Sequence, residues 1–181
     1  MEATDVIKII AALLTVCYVY TVLKFLKGWN NLVDHQDAIV LGNTKVSVII
    51  AARNEEKNIK RTLDAILGQN YDPGLYEVIV INDHSTDDTA AIVNRYQDKR
   101  IQLIDLEGII IENSYKKAAI QLAIGKASGT LIITTDADCT MGKNWLSTIV
   151  SLYEKEDLVM ISSPVAYYEE KGIFERLQSL E

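Results

Sequence analysis

Cysteine is scarce in this chain: of 181 residues only Cys17 and Cys139 are cysteines, and neither sits in a C-x-x-C or Cys/His ligand pattern. That excludes a disulfide framework and a structural zinc site. Positive charge is also short, 18 Lys and Arg against 25 Asp and Glu, for a net charge of −7. A nucleic acid held on a basic surface is therefore excluded as a partner. Any phosphate bound here must be met by a local device, a metal ion or a few placed lysines. No N-x-[ST] glycosylation acceptor occurs, which fits a cytosolic domain. Low complexity is missing too, since a hydrophobic content of 49% and a charged content of 24% are those of a globular protein.

One long run without charge is present. Residues 6–23 are apolar or weakly polar apart from Lys8, and residues 9–23 carry no charge. That is the length of a short transmembrane helix. Glu2 and Asp5 precede it and Lys24 and Lys27 follow it, so the positive-inside rule places the downstream chain on the cytoplasmic face. A cleavable signal peptide lacks its basic start and small-residue cleavage site here, and a buried core helix is the other alternative. Residues 28–45 read as a juxtamembrane connector, with His35 an exposed bystander.

From residue 46 the pattern changes to short apolar runs alternating with amphipathic stretches. Strands are expected at 46–51, 76–81, 101–104, 131–135 and 158–162. Helices are expected at 55–67, with Asn54 as N-cap and Gly68 as stop, and at 89–96, 115–126 and 144–153. Ile173, Phe174, Leu177 and Leu180 start a further helix. Strand and helix in alternation imply an α/β fold, a mostly parallel sheet joined by right-handed crossovers and flanked by helices. Ligands in such sheets bind beyond the carboxyl ends of the strands. Residues 52–55, 82–88 and 136–140 thereby become candidates together.

Each segment carries polar groups. Asp136 and Asp138 are spaced i, i+2 at the end of a strand, so their carboxylates share one side of an extended backbone. Hard cations take oxygen ligands and share them with substrate phosphates; two solvated loop acids are the alternative. Ala52, Asn54 and Glu55 combine small size, helix-start N–H groups and acidic residues, which serves either a ligand or an ordinary helix cap. Asp83 can accept hydrogen bonds from a nucleobase edge, with residues 85–88 shaping the turn and His84 as a bystander. Lys116 and Lys117 open a helix, where lysines are either solvated or neutralise a leaving group.

In order and spacing, Val46-Ser47-Val48-Ile49-Ile50-Ala51-Ala52-Arg53-Asn54-Glu55-Glu56, Val78-Ile79-Val80-Ile81-Asn82-Asp83-His84-Ser85-Thr86-Asp87-Asp88-Thr89, Lys116-Lys117-Ala118-Ala119-Ile120 and Asp136-Ala137-Asp138 resemble the nucleotide-sugar-binding half of an inverting glycosyltransferase of family 2, with the GT-A fold. The resemblance implies a membrane-anchored hexosyltransferase-like enzyme in three parts: a transmembrane helix at 6–27, a connector at 28–45 and a donor-binding domain at 46–181, incomplete at its C-terminus. It implies that Ala52, Asn54 and Glu55 surround the nucleotide, that Asp83 binds uracil or another base, and that Lys116 rather than Lys117 is the family lysine. Asp136 would lie near the ribose and metal, and Asp138 would coordinate Mg²⁺ or Mn²⁺ on the diphosphate. The donor would be a nucleotide-diphosphate sugar, by preference a UDP-sugar, and the acceptor a carbohydrate or lipid hydroxyl. Asn82 stands where the family commonly has Asp, and His84 where it has Gly. The family's general base lies further downstream and is not placed here, because Glu169-Glu170 comes too early. A non-catalytic, membrane-bound nucleotide-sugar-binding or scaffold protein is the alternative. A nucleotidyltransferase lacks its G-x-G-x-R loop in this sequence, an oxidoreductase its G-x-G-x-x-G, and an EF-hand fails at Ser147.

Overall fold

The computed structural model describes residues 3–31, 42–106, 115–156, 158–163, 165 and 172. They fall in two compact units, residues 1–38 and 39–181.

The first unit contains helix α1, Ala3–Asn30. At about 1.5 Å rise per residue, its 28 residues reach about 42 Å. Its most apolar 18-residue window has a mean hydropathy of 2.2 and no part buried in protein, so by length and composition the helix can cross a membrane. The Thr15 and Thr21 hydroxyls donate to the carbonyls of Ala11 at 2.9 Å and Cys17 at 2.8 Å. Neither hydroxyl then demands a partner from apolar surroundings.

The second unit is built on four parallel strands, β1 (Val46–Ala52), β2 (Tyr76–Asn82), β3 (Ile101–Asp105) and β4 (Leu131–Asp136), in the order β3-β2-β1-β4. Central strand β1 is buried at nearly every position, as its unbroken apolar run requires. Alternate side chains face opposite layers. Val46, Val48 and Ile50 meet α2 (Ile59–Leu67), α3 (Thr89–Asn94) and α5 (Trp145–Lys155), whereas Ile49, Ile79 and Ile81 meet α4 (Tyr115–Lys126). Helices therefore cover both faces, as the sequence pattern implied.

Two expectations change. No strand forms over 158–163; Val159 and Met160 are fully exposed there, without a neighbouring ladder to pair with. Helix α2 begins at Ile59 with Asn58 as N-cap, after a turn in which Asn58 and Ile59 N–H both donate to Glu55 O. Asn54 is not the cap because its backbone is left-handed, φ 56°, and its side chain is engaged elsewhere. The helix expected from Ile173 onward and the Glu169-Glu170 pair lie outside the described residues.

At the amino end of the sheet Arg100 stacks 4.8 Å from the Tyr76 ring centroid and donates to the Tyr76 hydroxyl. It also donates from Nε and Nη2 to Asp98 at 3.0 and 2.6 Å. This hydrogen bond outweighs the desolvation of Asp98 and holds its carboxyl down at about 2.

Candidate functional site

The strand order reverses between β1 and β4: β2 and β3 follow on one side of β1, and β4 returns to the other. Crevices at such reversals are where open parallel sheets bind ligands. The register sets Asp136 across from Ala51, Asn82 across from Ala52, and Asp105 across from Asn82. Three polar loops thus leave the sheet at one level.

At the carboxyl end of β4, Asp136 and Asp138 are exposed while Ala137 between them is 3% exposed. The apolar anchor turns inward, so both carboxylates turn outward. They line one cleft of about 950 Å³, together with Ala51, Asn58, Arg61 and Trp145.

The loops after β1 and β2 are stitched together. Asn54 N–H donates to Ser85 Oγ (3.0 Å), Glu55 N–H to Thr89 Oγ1 (2.8 Å) and Glu56 N–H to Asp87 Oδ2 (3.1 Å). In the other direction, Thr86 N–H donates to Asn54 Oδ1 (2.8 Å) and Asp88 N–H to Glu56 Oε2 (3.2 Å). Desolvation disfavours the charged form of Asp87, but hydrogen bonds from the Thr89 side chain and backbone and from Glu56 N–H win, and its carboxyl lies below the ordinary range. The N–H groups of residues 54–56, expected to open a helix toward a ligand, lie instead in the loop before α2 and are spent on neighbouring side chains.

Asp83 is 7% exposed and continues the sheet by donating its N–H to Ala52 O at 2.8 Å. Its Oδ1 lies 2.9 Å from His84 Nδ1. His84, expected to be a bystander, adopts φ 55° and engages the one carboxylate buried in this rim. A β-branched residue tolerates that backbone poorly. Asn82 also has a local reason to be an amide. Its Nδ2 donates to Asp105 Oδ1 at 3.1 Å and its Oδ1 accepts Ser85 N–H at 3.3 Å, whereas an ionised Asp would oppose Asp105.

The third loop is held from behind by α2. Thr62, fully buried, shares its hydroxyl proton between Ala137 O (2.6 Å) and Cys139 O (2.8 Å). Arg61 Nη2 donates to Asp138 O (3.0 Å) and Asn58 Oδ1 (3.3 Å), and Asn58 Nδ2 donates to Glu55 Oε2 (2.9 Å). Sequence reading missed Asn58, Arg61 and Thr62. Their available signal is the i, i+3, i+4 spacing, which places them along one stripe of α2.

Among the described residues no three His, Cys, Asp or Glu side chains gather to enclose a metal ion. Two exposed carboxylates on one cleft still suit a hard cation, because such ions take only one or two protein carboxylates and complete their shell with phosphate and water. Of Lys116 only the backbone is described, in the first turn of α4. Ile120, one turn further on, lines the cleft, so that helix start lies on the site's side of the sheet.

Comparison with known proteins follows the same boundaries. The sequence profile of Glycosyl transferase family 2 matches residues 47–180. Glycosyltransferase AglE of Haloferax volcanii is 31% identical over 122 residues, which is 67% of this chain and 40% of that protein. WfaP of Escherichia coli, a UDP-Glc:alpha-D-GlcNAc-diphosphoundecaprenol beta-1,3-glucosyltransferase, is 35% identical over 131 residues, 70% of this chain and 47% of that protein. The mannosyltransferase PcManGT of Pyrobaculum calidifontis, solved with GDP-Man and Mn²⁺, superimposes with TM-score 0.62 at 25% identity, over 78% of this chain and 42% of that one. The fold is GT-A, and the chain spans less than half the length of these proteins.

Proposed function

The chain belongs to glycosyltransferase family 2, and from that premise we propose that it transfers a sugar from a nucleotide-diphosphate sugar, by preference a UDP-sugar, to an acceptor hydroxyl with inversion. The observation that carries this reading is the Asp136–Asp138 pair, exposed on either side of buried Ala137, in one cleft at the strand-order reversal.

Each loop has a role in this reading. Asp83 accepts hydrogen bonds from the nucleobase, and His84 holds its carboxylate in place. Ala52, fully buried at the end of β1, leaves the nucleotide room above the strand. Asn54 and Glu55 act through the cross-bonds that set the shape of the base pocket. Asp136 and Asp138 hold Mg²⁺ or Mn²⁺, which when bound neutralises charge on the diphosphate leaving group. Lys116, on the cleft side of the sheet, adds positive charge as that group departs. The donor class is supported by PcManGT with GDP-Man and by the UDP-Glc named for WfaP.

Helix α1 serves as a single-pass membrane anchor. In this reading the donor-binding domain lies on the cytoplasmic face, a side favoured by Lys24 and Lys27 near the C-terminal end of the helix under the positive-inside rule. A lipid-linked or carbohydrate acceptor hydroxyl fits an enzyme held there.

The test is calorimetric titration of UDP and of GDP in Mn²⁺. Replacing Asp138 by Asn removes an anionic ligand while keeping its shape, and should weaken Mn²⁺-dependent binding by at least the roughly 10–100-fold that losing an outer partner of a metal ligand costs. Equal affinity for wild type and Asp138→Asn would sink the metal-site assignment.

A further inference from the structure

Asp136 closes β4 in register with Ala51, but the turn after it, which bears Asp138, has only a long backbone bond of its own, Cys139 N–H to Asp136 O at 3.4 Å. Its position comes instead from α2. Two consecutive helix residues take the carbonyls of three consecutive loop residues: Thr62 those of Ala137 and Cys139, and Arg61 that of Asp138. With the carbonyls drawn toward α2, the alternating side chains at 136 and 138 are presented to the cleft. Because the same Arg61 nitrogen also holds Asn58, and Asn58 holds Glu55, the clamp continues into the loops already stitched around Asp83.

We propose that Arg61 and Thr62 are positioning residues that preset the Asp136 and Asp138 carboxylates for a divalent cation shared with a nucleotide diphosphate. The inference rests on the donor-binding reading above. Its physical basis is preorganisation: when the fold has already ordered the ligand loop, binding the cation does not have to. A lysine at 61 offers a point charge instead of a planar donor group and cannot reproduce the paired geometry. A valine at 62 keeps the shape of threonine but leaves the buried Ala137 carbonyl and the half-buried Cys139 carbonyl without their donor, whereas serine restores it.

The experiment titrates UDP and GDP, with and without Mn²⁺, into the full chain and its Arg61→Ala, Arg61→Lys, Thr62→Val and Thr62→Ser variants, with thermal unfolding measured in parallel. In Arg61→Ala and Thr62→Val the affinity gained from Mn²⁺ should fall by about tenfold, as for the loss of other outer partners of metal ligands. Metal-free affinity should stay within about twofold, Thr62→Ser should behave as wild type, and Arg61→Lys should lie between. Arg61 is exposed, so its variants carry the test even where Thr62→Val fails to fold. An undiminished Mn²⁺ gain in Arg61→Ala overturns the proposal. So does a parallel loss with and without metal, which would make Arg61 a direct nucleotide contact. Absence of any Mn²⁺ gain in wild type for both nucleotides overturns the donor reading first, and this inference with it.

Discussion

Replacing Gly129 by alanine should cost the second unit much of its stability. A Cβ at this position would lie 2.5 Å from Ser47 N and 2.6 Å from Val46 C, both backbone atoms of the central strand, and 2.7 Å from Ser47 Oγ. Strand β1 is packed on both faces and cannot retreat. Overpacking of a rigid core costs about 1–3 kcal/mol. The same displacement breaks a polar knot, in which Gly129 N–H donates to Ser47 Oγ (2.8 Å) and Ser47 Oγ donates to Glu77 Oε1 (2.6 Å), an oxygen that also accepts Ser128 N–H and Oγ–H. Hydrogen bonds to a charged group contribute about 1.5–3 kcal/mol each. Together these give roughly 3–5 kcal/mol, or a fall of about 10–20 °C in Tm for a domain of this size. Gly125 is the matched control: it lies in α4 with open space around it, and alanine there should stabilise by about 0.5–1 kcal/mol. Thermal unfolding followed by circular dichroism reads both. If Gly129→Ala melts within 3 °C of wild type, roughly one kcal/mol, the rigidity assigned to β1 is refuted.

Asp83→Ala should weaken UDP binding by about tenfold or more with and without Mn²⁺, because a hydrogen bond to a charged group is removed and no metal ligand is touched; calorimetry showing unchanged metal-free affinity removes Asp83 from the base pocket. Asp98 gives the clearest pH effect. Its folded carboxyl, held by Arg100 at about 2, lies below the ordinary value of 3.8. The stability it contributes is therefore complete above about pH 4 and is lost as pH falls toward 2. After solvent screening that contribution is about 1 kcal/mol, and denaturant titration of Asp98→Asn should show the loss at pH 7 and a flatter acid limb between pH 4 and 2.

The sheet was legible because its signal is local. Val46-Ser47-Val48-Ile49-Ile50-Ala51 is too apolar for a one-sided strand, and Tyr115 to Lys126 forms the helix over the very residues expected. The three polar loops were legible because each follows such a run. What joins them was not, since every stitch is long-range: Asn54 to Thr86, Arg61 to Asp138 and Thr62 to Ala137 are separated by 32, 77 and 75 residues. Asn54 was misread as a helix cap because an Asx residue before an acidic turn satisfies the local rule, and only the partner loop reveals that its oxygen is already taken. The strand expected at 158–162 does not form, because β-branched composition reports readiness to pair, not the presence of a neighbour.

Electrostatics decide how such a site can work in so acidic a chain. The net charge of −7 acts weakly at a distance, because charges beyond about 8 Å are largely screened at physiological ionic strength. The local rim matters more. Asp83, Asp136 and Asp138 all lie at the carboxyl edge where a nucleotide diphosphate would add further negative charge. Like charges in contact oppose binding, so the carboxylates at 136 and 138 favour a diphosphate only through a cation held between them. The affinity gained from Mn²⁺, not affinity alone, is then the quantity in which Asp138→Asn and Arg61→Ala should both be read. In the proposed reading Asp83, buried and beside His84, would meet an uncharged base edge, and its contribution should survive removal of the metal.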